Sequence, residues 1–270
     1  MQNIFHYNTI IKKFRDFFQH EKKFIEVPAQ SRLSILAACE DPKTISIFNF
    51  NGLDYPLPQT GQMWLETELL NNPDVPGVFC VTTSYRNEPN PIPGRHDKIF
   101  PMFEFESHGT VKDLQKLISE LLAHFELPQA VSCLYTKMGD KYGVKILEAD
   151  HETKMQQEFG NVICLEQFPQ HSHPFWNMKH NGDLYNKIDV LLYGMETFGT
   201  AERSTDAADM HDKFLTISNG MYADLLFKKF GKDRVLAELD SYLSLKMFPR
   251  FGGGIGVTRM ARALQLAGKL

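Results

Sequence analysis

The chain has 270 residues, 43% of them hydrophobic, enough to bury a substantial core within one large domain. A formal net charge of −4 excludes a surface built throughout to hold a nucleic-acid backbone. The cysteines, Cys39, Cys80, Cys133 and Cys164, form no CxxC pair, which argues against a zinc site or a disulfide framework and leaves them as reduced, packed thiols.

The N-terminal stretch MQNIFHYNTIIKKFRDFF mixes charge into its apolar positions and lacks a small-residue cleavage site, so it does not read as a signal peptide. No run approaches the roughly 18 uncharged apolar residues of a membrane helix. A cytoplasmic protein without membrane contact is expected.

Across residues 8–21, Ile10, Ile11, Phe14, Phe17 and Phe18 recur at helical spacing between charged residues, which predicts an amphipathic helix. It runs into Phe24-Ile25-Glu26-Val27-Pro28, a short extended stretch, since proline disfavours helix in the residue before it. Strands are predicted over 44–50 and 78–86, with a helix over 62–70 between them. The run from Glu88 to Gly94 carries three prolines and must be a loop. Residues 100–107 then read as extended, pairing with 78–86 as an antiparallel hairpin, and 111–125 as a second amphipathic helix. Residues 129–158 are polar and carry no period that assigns an element. Strands follow over 161–166 and 186–193, helices over 211–230 and 232–243, and a glycine-rich stretch, 251–259, feeds a helix over 260–266. There is no repeat, low-complexity tract or linker.

Gly252, Gly253, Gly254 and Gly256 permit close backbone approach and positive φ, which suits a chain passing beneath a flat ligand or a phosphate. Their spacing fits neither G-x-G-x-x-G nor a P-loop, and a tightly packed strand-to-helix junction is the alternative. Arg259, three residues beyond the last glycine, falls on the first helical turn, where a guanidinium and the helix N-terminus both favour phosphate. Upstream, Arg86 and Glu88 share a face if their strand continues, as do Glu104 and Glu106, with Phe103 and Phe105 on the other side. On the functional reading, Arg86 contacts an α-phosphate, Glu88 accepts from an adenine amino group, Phe100 stacks on the purine, and Arg95 or His96 holds the outer phosphates. The alternative is a solvated hairpin face with ordinary ion pairs.

Arg86-Asn-Glu88, the loop with Arg95-His96, then Phe100, Glu104 and Glu106 resemble motif 2 of class II aminoacyl-tRNA synthetases, and 252–259 resembles motif 3. The helix ending at Val27-Pro28 is similar to motif 1, which implies a homodimer. The stretch Thr60-Gly61-Gln62-Met63-Trp64-Leu65-Glu66 is similar to that of asparaginyl enzymes, whereas aspartyl enzymes carry lysine where Leu65 stands. Asp189, Glu196 and Arg203 follow the spacing of the aspartyl, asparaginyl and lysyl group. The resemblance implies that Asp189 and Glu196 hold Mg²⁺ against ATP and that Arg203 meets the substrate's carboxylate or amide. Glu40 and Gln62 are candidates for its ammonium, and Glu104 joins them on the substrate side. Thr197, Phe198 and Thr200 depart from the family pattern. His171, His173 and His180 have no accompanying metal-ligand set.

The fold expected from the resemblance is α+β, a class II synthetase-like antiparallel sheet flanked by helices, forming a single catalytic domain over 1–270 without an anticodon-binding domain. Arg86, Arg259 and Glu196 would serve an ATP- and Mg²⁺-dependent activation of a small amino acid, of aspartate or asparagine type, as an acyl adenylate; Gly254 and Gly256 would lie against the ATP. The chain resembles free-standing asparagine synthetases related to asparaginyl-tRNA synthetase, so tRNA is not expected as a partner. The alternatives are a non-catalytic amino-acid or nucleotide binding module and a tRNA-charging enzyme lacking its own anticodon-binding domain.

Overall fold

A computed structural model describes residues 3–270. Helix α1 (Ile4–Arg15) starts at Asn3, whose side-chain oxygen accepts from the Phe5 amide at 2.9 Å. It widens into a π-helical turn over Asp16–Glu21, the Lys22 amide donating to the Phe17 carbonyl at 2.9 Å. Phe14, Phe17 and Phe18 are fully buried, and Phe14 stacks on Phe103 with ring centroids 4.5 Å apart.

Strand β1 (Ile25–Glu26) lies parallel to the edge of β4 (Gly77–Tyr85), which pairs antiparallel with β5 (Ile99–His108) across the proline loop, as the hairpin reading expects. Residues 44–50 do not join this sheet. Only Ile47–Phe50 is a strand, β2, and it pairs with β3 (Leu53–Pro56) in a separate hairpin turned by Asn51 and Gly52 at φ 50° and 79°. Helix α2 (Gln62–Asn71) precedes β4, and α3 (Val111–His124) opens on a capping box of Thr110 and Asp113.

The unassigned segment contains β6 (Val131–Leu134), α4 (Tyr135–Tyr142) and α5 (Ala149–Phe159). Each buries few residues against one sheet edge, which is why no period is legible there. Then come β7 (Val162–Pro169), β8 (His180–Asn181), β9 (Leu184–Leu192) and β10 (Met195–Glu202). Strand β10 escapes the sequence reading because most of its residues on both faces are buried, so no alternation marks it. The single helix expected over 211–230 is two, α6 (Ala207–Thr216) and α7 (Met221–Phe230). Ser218, Asn219 and Gly220 break it, all in the left-handed region at φ 54°, 58° and 83°. Helix α8 (Lys232–Leu243) follows as expected. The glycine-rich stretch is a full strand, β11 (Arg250–Gly256), running directly into α9 (Val257–Leu266).

The strand order β1-β4-β5-β11-β10-β9-β7-β6, with β8 beside β9, makes a nine-stranded, mostly antiparallel sheet. Alternation along β5 sends Phe103 and Phe105 into a core shared with α1, α3 and α9. The opposite face meets a second core, built on Trp64, Trp176, Phe214 and the helices α2, α6, α7 and α8. Glu104 and Glu106 project on that opposite side. No helix among the described residues is long and apolar enough to cross a membrane. All four cysteines are free and buried.

Candidate active site

The glycines of β11 are there because of what lies opposite them. Gly252 pairs with Glu106 and Gly254 with Glu104 across the sheet. A Cβ on Gly252 would stand 1.8 Å from Glu106 Oε2 and 2.3 Å from the Phe105 carbonyl oxygen, and on Gly253 2.5 Å from the Gly199 carbonyl oxygen. None of Gly252, Gly253, Gly254 or Gly256 has positive φ, so close approach is what requires glycine at Gly252 and Gly253. Gly256 needs neither, since a Cβ there would be 3.6 Å from the Arg259 side chain, an ordinary contact.

These strands floor a cavity of about 390 Å³. It is lined by Glu40, Gln62, Arg86, Glu88, Arg95, His96, Phe100, Glu104, Glu196, Arg203, Gly254, Gly256 and Arg259, so residues from distant parts of the chain converge on one space. Asp189 is the exception among the sequence candidates. It faces an adjoining cavity of about 440 Å³ that also contacts Glu40 and Glu196.

Strand β4 ends at Tyr85, yet the Arg86 amide still donates to the Lys98 carbonyl at 2.7 Å, which keeps Arg86 aimed into the site. Its guanidinium lies 5.8 Å from the Phe100 ring centroid and pairs with Glu40, whose charge raises the Arg86 pKa further. Glu40 therefore engages a guanidinium in this structure, where the sequence reading assigned it an ammonium. Its loop is anchored by the fully buried Gln59, whose Oε1 accepts from the Glu40 and Asp41 amides at 2.9 and 2.8 Å. Arg95 pairs with Glu152 and donates to the Gly194 carbonyl at 3.0 Å, so it is held in place at the cavity wall. His96 Nδ1 accepts from the Ile92 amide at 3.3 Å within the proline loop. Arg259 does sit on the first turn of α9, donating to the Glu196 carbonyl oxygen at 2.6 Å with the Glu196 carboxylate 4.0 Å away.

Glu104 is buried and accepts from the Thr60 and Thr82 hydroxyls and from the Gly61 amide at 2.7 Å. Burial pushes its pKa up, and these donors hold part of that rise back. It fastens the start of α2 to the sheet while still lining the cavity. Gln62 Nε2 donates to Glu106 at 2.5 Å and to the Phe105 carbonyl at 3.1 Å, leaving Oε1 buried with no partner among the described residues. An acceptor in that position fits an incoming ammonium. Leu65 is fully buried in the second core and does not line the cavity, so it says less about the substrate than its sequence position suggested.

Beneath the cavity lies a charged network that the sequence reading missed. Arg250, fully buried, donates to Glu66 at 2.8 Å and to the Tyr242 hydroxyl at 2.5 Å, while Asn177 donates to Glu66 at 2.9 Å. Arg203 Nε stands 3.5 Å from Glu66 and 3.4 Å from Glu106. Arg203 thus joins two carboxylates from α2 and β5, not the Asp206 or Glu202 nearby in sequence. Burial opposes the Glu66 charge, but Arg203 and Arg250 outweigh it and hold the pKa below the usual range. Glu106, buried beside a second carboxylate, is pushed up to about 8. The signal for this floor was period: Gln62 and Glu66 are four apart on a helix, and Arg250 shares a strand face with Gly252 and Gly254.

For a divalent ion the structure supplies two carboxylates flanking Gly199. A Cβ there would lie 3.2 Å from Glu196 Oε1 and 3.8 Å from Asp189 Oδ1. Asp189 Oδ1 is buried and has no partner among the described residues. Burial, with Glu196 adding to it, pushes the Asp189 pKa up to about 7 against the pull of Lys187. No group of three or more His, Cys, Asp or Glu among the described residues forms a metal cage. Two carboxylates fit Mg²⁺ that keeps phosphate and water ligands. His180 pairs with Asp209 at 3.0 Å.

The family model of tRNA synthetases class II (D, K and N) matches residues 1–268. Among solved structures, the chain is similar to asparaginyl-tRNA synthetase from Pyrococcus horikoshii complexed with asparaginyl-adenylate, at 19% identity and TM-score 0.78, covering 97% of this chain and 64% of that one. It is similar to asparaginyl-tRNA synthetase from Entamoeba histolytica, with asparaginyl-adenylate, at 18% identity and TM-score 0.74 over 98% and 63%. The aspartyl-tRNA synthetase from Entamoeba histolytica gives 17% identity and TM-score 0.69 over 96% and 54%. The chain therefore spans less than two thirds of these synthetases. No curated protein sequence matches it.

Proposed function

The chain belongs to the class II tRNA synthetases of the D, K and N type, and from that premise we propose that it activates an amino acid of aspartate or asparagine type as an acyl adenylate and transfers it to an acceptor other than tRNA, such as ammonia. The observation that carries the reading is the convergence of Arg86, Phe100, Arg259 and Gln62 on one cavity. The asparaginyl-adenylate bound by structures of the same fold supports it.

In the proposed reaction a substrate carboxylate oxygen attacks the α-phosphorus of ATP and the bond to pyrophosphate breaks. Arg86 and Arg259 offset the charge on the phosphate oxygens, Phe100 packs on the purine, Glu88 accepts from its amino group, and Arg95 with His96 meets the outer phosphates. Gly254 and Gly256 let the nucleotide approach the sheet. Gln62 orients the ammonium, and Arg203 faces the rest of the amino acid. Asp189 and Glu196 would hold Mg²⁺, which when bound neutralises phosphate charge. No general base is needed in this half-reaction, because the attacking carboxylate is already ionised. The acceptor nitrogen then attacks the acyl carbon, and AMP leaves.

The choice of a small acceptor rests on the formal net charge of −4, which disfavours a surface built to hold a nucleic-acid backbone. The test is pyrophosphate exchange across twenty amino acids, with Arg86→Ala as control, followed by AMP and asparagine formation from aspartate, ammonia and ATP. Exchange with aspartate or asparagine, abolished in the variant, is expected. Absence of exchange with every amino acid would overturn the adenylation reading, and labelled tRNA in place of asparagine would overturn the choice of acceptor.

A further inference from the structure

Alternation along β9 places Lys187 and Asp189 on one face, and the Lys187 ammonium pairs directly with Asp189. That lysine is built in, not solvated. Its side chain is only 18% exposed, and Nζ lies 3.6 Å from the centroid of the Phe168 ring. Phe168 is brought beneath it by a register shift between β7 and β9, at Gln167, whose φ is 59°.

The neighbouring carboxylates are matched in the same way. Glu152 pairs with Arg95, and the Glu196 carboxylate stands 4.0 Å from Arg259. Each of the three acidic groups around the Mg²⁺ position thus has its own cation, and the charges there balance. Asp189 Oδ1 remains a vacant acceptor, but a divalent ion reaching it without nucleotide meets Lys187 at the other oxygen of the same carboxylate. A cation that brings its own phosphates does not face an unbalanced positive site.

We propose that Lys187 acts as a tethered monovalent cation at Asp189 that suppresses divalent-metal binding to the free protein and makes metal entry depend on nucleotide. The inference rests on the adenylation reading for the identity of that nucleotide, but the metal preference of the free site can be measured without it. Lys187→Met keeps a side chain that packs on Phe168 and removes the charge.

The experiment is Mn²⁺ titration of the nucleotide-free protein, followed by electron paramagnetic resonance, in wild type, Lys187→Met and Lys187→Met/Asp189→Asn. Wild type is expected to bind Mn²⁺ weakly, Lys187→Met at least tenfold more tightly, and the double variant to lose that gain. Equal Mn²⁺ affinity in wild type and Lys187→Met, or a gain that survives Asp189→Asn, would overturn the proposal. Circular dichroism establishes that each variant is folded before titration. Because no amino acid or ATP is present, a failure here is distinguishable from a failure of pyrophosphate exchange.

Discussion

Alanine substitution along β11 separates glycines required by packing from those that merely line the cavity. In Gly252→Ala the new methyl would overlap Glu106 Oε2, at 1.8 Å, and the Phe105 carbonyl oxygen, at 2.3 Å. The second of these is backbone in the middle of a sheet, so relief requires β5 and β11 to separate. Overpacking of this kind costs about 1–3 kcal/mol, and more when backbone must move. Displacing Glu106 also breaks its hydrogen bond from Gln62 and its contact with Arg203, adding roughly 1–3 kcal/mol for buried polar groups left unpaired. The expected loss is therefore on the order of 2–6 kcal/mol, a large part of the ~5–15 kcal/mol of a typical domain.

In Gly254→Ala the nearest atom, at 2.6 Å, is the terminal methyl of Met102, a flexible group that can move, so the expected cost is under about 1 kcal/mol. Gly256→Ala meets nothing closer than 3.6 Å and has φ of −69°, but it is the N-cap of α9, where alanine is disfavoured, so the gain through the unfolded chain is offset and the change should stay within about 1 kcal/mol of neutral. Urea unfolding monitored by circular dichroism orders the three variants. Equal midpoints for Gly252→Ala and Gly256→Ala would refute the packing account of the glycine run.

Arg250→Met leaves Glu66 buried with a partner removed and should cost about 3–5 kcal/mol in urea unfolding, while Glu66→Gln/Arg250→Met should lose less than the sum of the single variants. Because the folded Glu106 pKa, about 8, lies above its unfolded value, its contribution to stability is full at acid pH and is lost as pH rises through about 8. Wild type should accordingly lose stability relative to Glu106→Gln between about pH 5 and 8, by up to about 1.4 kcal/mol for each pH unit separating the two titrations, and a pH-independent difference in urea midpoints would contradict this. Phe100→Ala should raise the ATP concentration for half-maximal pyrophosphate exchange about tenfold, near 1.4 kcal/mol, without changing that for the amino acid.

Short-range chemistry was legible wherever one face of an element differed from the other. The alternation in β5 told Phe103 and Phe105 from Glu104 and Glu106, and the prolines after Glu88 required the loop between β4 and β5. Strand β10 and the elements of 129–158 were not, because the first is buried on both faces and the others bury too little to show a period. The break in the expected helix over 211–230 was legible, because Ser218-Asn219-Gly220 is a turn signal whose residues favour caps and left-handed backbone over helix interior.

By itself the sequence picked out Arg86, Phe100, Glu196, Arg203 and Arg259 as site candidates by residue type and spacing, and all five border one cavity. Only the tertiary structure decided how each is already engaged. Strand pairing sets Glu106 over Gly252, α2 and β11 bring Glu66 to Arg250, and the β7–β9 register sets Lys187 between Asp189 and Phe168. Such pairings join residues far apart in the chain or set by a shift in register. Propensity and spacing report only on neighbours within a turn or a strand, so who neutralises whom could not be read before the sheet was assembled.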